Sequence, residues 1–140
     1  MSYSRRDLAV IPLLAAAALP AKAAGALSSK TYKFEDLPVK TNGRNRTRPV
    51  LNGQTHTGFP IEMHITELAP GEAPHPPHHH LHEEMILIRE GTLEVTIGGR
   101  SVNLGPGSSA LVASNEEHGW RNAGSTPALY FVIALGQDKA

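Results

Sequence analysis

GEAPHPPHHHLHEEMILIREG, running from Gly71 to Gly91, sets five histidines (His75, His78, His79, His80 and His82) and the pair Glu83 and Glu84 directly ahead of an apolar run. Imidazole and carboxylate side chains together are the ligand set of a mid-series divalent transition metal. In an extended segment, residues two apart point the same way. His78, His80, His82 and Glu84 are therefore candidates for one face, with His79 and Glu83 on the other. A second segment, GSSALVASNEEHGWRN from Gly107 to Asn122, contributes His118 from a distant part of the chain.

Together the two segments resemble the paired motifs of the cupin superfamily, G-x5-H-x-H-x3-4-E-x6-G and G-x5-P-x-G-x2-H-x3-N. Gly71, His78, His80, Glu84 and Gly91 fill the first, with one extra residue between Gly71 and His78. Gly107, Ala113, Asn115, His118 and Asn122 fill the second, with Ala113 and Asn115 standing where the motif has Pro and Gly. The resemblance spans Ile61 to Leu135. It implies a single-domain, all-β double-stranded β-helix (a jelly-roll barrel) in which His78, His80, Glu84 and His118 bind one divalent transition metal. A histidine-rich metal sponge or a tag would need neither Glu84 at fixed spacing nor a distant partner histidine. For His75, His79 and His82 the plainer reading is preferred: they solvate the mouth, hydrogen-bond neighbours or exchange in as occasional ligands. His56 and His64 read as ordinary loop or strand histidines.

The surrounding chain reads as short strands between turns. Ile61 to Glu67 alternates apolar and polar, the period of a half-buried strand. Met85 to Ile88 is continuously apolar, as expected where both faces are covered. Thr92 to Ile97 alternates again, and Gly98-Gly99 is a hairpin signal leading into Arg100 to Leu104. Ala110 to Ala113 and Ala128 to Leu135 complete the series. Short strands with turns at this spacing point to a sandwich or jelly-roll barrel. Exposed edges on small barrels are usually paired or covered, so a homodimer is expected.

Residues 1–23 read as an export signal. Arg5-Arg6 precedes an uncharged, Ala-rich run, and Ala21-Lys22-Ala23 offers a small-x-small cleavage pattern. This resembles a twin-arginine signal with Leu8 in place of the usual Phe, and implies a periplasmic or secreted protein with no stable membrane span once the signal is removed. Residues 24–58 read as an N-terminal leader and edge segment, with Thr31 to Leu37 a possible edge strand, and residues 59–136 as the barrel core. Arg44, Arg46 and Arg48 would share a face if extended. They read as a solvated loop in preference to an anion-attracting rim.

Composition narrows the function. The chain has 140 residues with 13 basic and 13 acidic side chains, and so no basic field for nucleic acid. It has no cysteine, which excludes disulfides and thiolate ligands. No Ser-His-acid arrangement, phosphate-binding glycine loop or dinucleotide fingerprint is present. Iron or manganese is favoured for the metal; nickel, zinc, cobalt and copper suit the same ligands. Ile86, Ile88, Trp120 and Asn122 are expected to share the inward face and line a pocket for a small-molecule ligand. Two functions follow. One is a metalloenzyme, either dioxygenase-like or a Lewis-acid isomerase or lyase. The other is a non-catalytic periplasmic binder of a metal, sugar or small acid.

Overall fold

Glycine, asparagine and proline break residues 25–137, the span described by the computed structural model, into nine short strands. These are β1 (Lys40–Asn42), β2 (Asn45–Gln54), β3 (Pro60–Leu68), β4 (Glu83–Glu90), β5 (Leu93–Ile97), β6 (Arg100–Leu104), β7 (Ser109–Val112), β8 (His118–Asn122) and β9 (Ala128–Leu135). The export signal expected in residues 1–23 lies outside the described residues. All named pairings are antiparallel, in a six-stranded sheet ordered β1-β2-β3-β9-β4-β7 and a three-stranded sheet ordered β6-β5-β8. The core joins Leu68, Ile86, Ile88 and Tyr130 of the large sheet to Leu93, Val95 and Trp120 of the small one. This is the all-β jelly-roll architecture. Among the described residues no helix is long and apolar enough to cross a membrane.

The strands from β3 onward follow the sequence pattern closely except for β8, which the series read from sequence leaves out; the segment before them follows it less. Residues 24–58, read as a leader and edge segment, contribute β1 and β2 at one edge of the large sheet, and β2 pairs with β3 over most of its length. Its Asn, Pro and Gly content hides it from a propensity reading. Proline is tolerated there because β1 covers only the first three residues of β2, and Pro49 adjoins a register shift. Thr31 to Leu37 forms no strand. It contains a single 3-10 turn at Phe34–Asp36, with the Arg48 and Arg89 guanidiniums 4.4 and 5.6 Å from the Phe34 ring centroid.

Two faces are arranged differently from what alternation suggests. In β3 the polar set Glu62, His64 and Thr66 points into the barrel, while Met63 and Ile65 line a depression with Phe34 and Phe131 on the outside of the large sheet. In β4 the continuous apolar run is covered on its inner side only: Ile86 and Ile88 are buried, while Leu87 is 41% exposed.

Turn chemistry holds the rest. Gly98 and Gly99 both have positive φ (55° and 78°), as a two-residue type I′ hairpin requires. Asn115 stands at φ 61°, the left-handed region that asparagine tolerates better than other non-glycine residues, so it keeps the turn that the motif's glycine would make. Gly91, at φ 79°, closes the β4–β5 turn against the start of β9. A Cβ there would lie 2.6 Å from the Ala128 Cα and 2.8 Å from the Pro127 carbonyl oxygen. Gly71 has nearly the same φ, 78°, with nothing within 4 Å of its would-be Cβ. Gly71→Ala is therefore expected to cost only the left-handed strain, about 1–2 kcal/mol. Gly91→Ala should cost clearly more in the same urea titration, and equal losses would show that the contact with β9 is not what requires glycine.

Candidate metal centre

Residues 71–80 run antiparallel to β8 and act as an irregular further strand. At one end the Gly71 N–H donates to the Asn122 carbonyl (3.0 Å) and the Asn122 N–H to the Glu72 carbonyl (2.9 Å). At the other, His78 and His118 exchange both backbone bonds, 3.0 and 2.9 Å. Pro76 and Pro77 lie between, with no N–H to offer. Gly119 gives them room, since a Cβ there would be 3.2 Å from the Pro77 Cα. The Asn115 N–H donates to the His80 carbonyl at 2.8 Å, tying the left-handed turn to the same loop. Backbone pairing alone thus brings the two distant histidine segments together.

The side chains converge. Ring centroids of His78, His80 and His118 are 5.1, 4.7 and 4.7 Å apart, and their candidate ligand atoms all lie within 4.8 Å of one another. Glu84, buried on β4, places Oε2 2.8 Å from His80 Nε2 and 3.3 Å from His118 Nε2. The opposite ring nitrogens are committed: Nδ1–H of His80 donates to the His82 carbonyl (2.8 Å), and Nδ1–H of His118 to the Glu116 carbonyl (2.9 Å). With Nδ1 engaged by a carbonyl, each ring turns its Nε2 toward the Glu84 carboxylate. His118 Nε2 and His78 Nδ1 are buried without a hydrogen-bond partner. Such atoms in a native interior call for an explanation, and a cation among them is one. The cluster of three histidines and a glutamate is compatible with a divalent metal site.

Beside it opens a cavity of about 820 Å³. Trp120 lines it, as do Tyr130, Val132, Ala134, His64 and Glu62. The Trp120 Nε1–H donates to the Tyr130 hydroxyl at 2.8 Å. Burial is the main cause raising the Tyr130 pKa, with the Glu84 charge adding to it, so the phenol keeps its proton. Of the four residues expected to line the pocket, only Trp120 does so. Ile86 and Ile88 belong to the sealed core. Asn122 is fully buried; its amide donates to the Leu68 (2.9 Å) and Thr126 (2.7 Å) carbonyls and accepts from the Gly124 N–H (2.9 Å). That amide fastens the chain on both sides of β8 and leaves nothing for a ligand.

The other histidines divide. His79 and His56 are exposed. His75 meets His78 edge-on at 4.1 Å, and His82 stacks on His80 at 3.6 Å and forms a second candidate group with His80 and Glu84. His64, read from sequence as ordinary, stands on the cavity wall. The signal for it was available: Glu62, His64 and Thr66 share one parity on β3, and only Glu67, paired with Arg46, breaks it. The arginines form no rim. Arg44 pairs with Glu72, Arg46 with Glu67 at 3.2 Å, and Arg48 lies over Phe34.

The family model described as "Cupin domain" matches residues 64–134. No curated protein matches the sequence. Among solved structures, an RmlC-like cupin from Shewanella frigidimarina is 18% identical, with 80% of this chain and 95% of that one covered and a TM-score of 0.66. The polyketide cyclase RemF from Streptomyces resistomycificus is 19% identical over 81% and 83% of the two chains, TM-score 0.67. A protein from Thermotoga maritima titled a predicted oxalate decarboxylase is 15% identical over 77% and 100%, TM-score 0.67. At these identities the likeness is one of fold.

Desolvation, and then the neighbouring His75, His118 and His80, hold the His78 pKa below its ordinary 6.5 against the opposing pull of Glu84. The unfolded chain therefore takes up a proton at His78 before the folded chain does. The stability this contributes is present above pH 6.5 and lost as pH falls through the lower folded value. The thermal midpoint of metal-free protein should fall as pH drops from 6.5 through the lower folded value, and His78→Gln should flatten the fall. An unchanged slope in the variant would remove His78 as its cause.

Proposed function

Because the chain belongs to the cupin domain family, we propose that it is an exported protein that binds one divalent transition metal through His78, His80, Glu84 and His118 and acts on a small oxygenated molecule in the adjoining cavity. The observation that carries this reading is the convergence of Nε2 of His80, Nε2 of His118 and the Glu84 carboxylate, with His118 Nε2 and His78 Nδ1 buried and without a hydrogen-bond partner. A bound ion would supply Lewis acidity toward a carbonyl or hydroxyl oxygen.

The chain's own residues favour Lewis-acid isomerase or lyase chemistry over the dioxygenase. The apolar pair Ile86 and Ile88, which would have suited an aromatic substrate, is sealed in the core, while Asn52, Gln54, Glu62 and Thr66 give the cavity a polar wall. Trp120 and Tyr130 form an aromatic part of the lining, and their mutual hydrogen bond fixes the indole plane. A periplasmic binder of a neutral sugar would use the same wall without chemistry. Iron or manganese is the proposed metal, and the Arg5-Arg6 signal the proposed route of export.

A homodimer is the proposed assembly. The outward residues Leu51, Met63, Ile133, Met85 and Leu111 are register neighbours across the large sheet, and Leu111 is 59% exposed. A second copy laid on this row would cover the face that the apolar run of β4 leaves open. Sedimentation equilibrium at micromolar concentration should give the dimer mass, and Leu111→Lys the monomer mass. A wild-type monomer rejects the assembly.

Metal analysis tests the site. Wild type should carry one equivalent of metal, and Ala at His78, His80, Glu84 or His118 should abolish it, while His79→Ala keeps it. Metal at a hundred times its dissociation constant should stabilise wild type by about 2.7 kcal/mol and leave the Glu84→Ala variant unmoved. Loss of metal in His79→Ala with retention in His78→Ala would shift the ligand assignment by one residue.

A further inference from the structure

One imidazole in the cavity has a carboxylate partner and no part in the metal cluster. On β3, Nδ1 of His64 lies 3.1 and 3.0 Å from the two carboxylate oxygens of Glu62. The carboxylate holds the ring as the Nδ1–H tautomer and leaves the Nε2 lone pair for the cavity. Both side chains are about one-third exposed, 28% and 32%, and both line the cavity. The other titratable groups there are committed. His78 and His80 belong to the cluster, His82 stacks on His80, and Nδ1 of His75 is 3.0 Å from the Pro76 carbonyl.

Register places this pair opposite the cluster. Glu62 is paired with Ala134, and Ala134 with Glu84, so the two carboxylates stand two strands apart in one cross-strand row. Two strand spacings put their backbones roughly 10 Å apart. Only the Ala134 methyl lies between them on the inner face, with Val132 between His64 and Ile86 in the next row. Among the described residues that line the cavity there is no lysine or arginine, so nothing on the wall recruits a phosphate or a polycarboxylate.

We propose that His64, oriented by Glu62, is the proton acceptor for an uncharged hydroxycarbonyl compound lying between this wall and the cluster; this rests on the metal-binding reading above. The C–H bond beside the carbonyl breaks, and its proton forms a bond to Nε2 of His64. The electron pair moves into a carbon–carbon double bond as the carbonyl becomes an enolate oxygen facing the cluster. The imidazolium that results sits against the Glu62 carboxylate. The hydroxyl proton passes to the enolate oxygen, the hydroxyl oxygen becomes the new carbonyl, and return of the His64 proton to the former carbonyl carbon gives the isomer, so the step needs neither oxidant nor co-reactant.

The test uses metal-loaded protein with hydroxyacetone and dihydroxyacetone in deuterium oxide, followed by proton NMR. Wild type should exchange the methylene C–H for C–D. His64→Gln should slow this by about a hundredfold or more while keeping metal content and thermal midpoint. Glu62→Gln should slow it about tenfold, and carries the test should His64→Gln fail to fold. Nitrogen-15 NMR of metal-free protein should show His64 as the Nδ1–H tautomer, lost in Glu62→Gln. Undiminished exchange in the variants, no exchange by loaded wild type, or an Nε2–H tautomer in wild type would each overturn the dyad. Failure to take up metal would instead contradict the metal-binding reading, and the tautomer measurement on metal-free protein would still decide the dyad.

Discussion

Lone pairs gathered without a counter-charge are the constraint on which this molecule depends. Three imidazoles have their candidate ligand atoms within 4.8 Å of one another, with the Glu84 carboxylate 2.8 and 3.3 Å from two of them, and those two are held by carbonyls that accept from Nδ1 and so turn Nε2 inward. Leaving buried polar atoms unpaired costs on the order of 1–3 kcal/mol each, so something rigid must enforce the arrangement. The enforcement is backbone pairing. His78 and His118 are bridged to each other, His80 is tied to the turn at Asn115, and Asn122 clamps the far end of β8 to β3. Residues that face no ligand, such as Gly119 and Asn115, are therefore part of the site's construction.

The barrel is graded from sealed to open along the same strands. Successive cross-strand rows of the inner face run Leu68 with Ala128, then Thr66, Tyr130 and Ile88, then His64, Val132 and Ile86, then Glu62, Ala134 and Glu84. The first rows are closed by Leu93 and Trp120 from the small sheet. In the last row a single methyl group separates two carboxylates. The sealed core and the polar cavity thus occupy opposite ends of one sheet, joined by three continuous strands.

The fold and the convergence of the histidine–glutamate cluster were legible in the sequence because both are written in spacing. His-x-His with Glu84 at the head of an apolar strand, and His118 two residues before Trp120, survive the translation into strands with period two. What spacing does not carry is which side of a strand faces in. β3 alternates as a half-buried strand should, yet its polar side faces the cavity and its apolar side is met by Phe34 from outside. That inversion hid His64 and Glu62, and it moved the expected pocket from Ile86 and Ile88 to the β3 wall. β2 was hidden for a different reason: Asn45, Pro49, Asn52 and Gly53 are poor strand formers, and only long-range pairing with β3 makes the segment a strand.

Extended X-ray absorption fine structure on the metal-loaded protein tests the central claim most directly. The account expects a first shell of nitrogen and oxygen at about 2.0–2.2 Å, with outer-shell scattering that fits three imidazole rings. A first shell with one imidazole or none would contradict it.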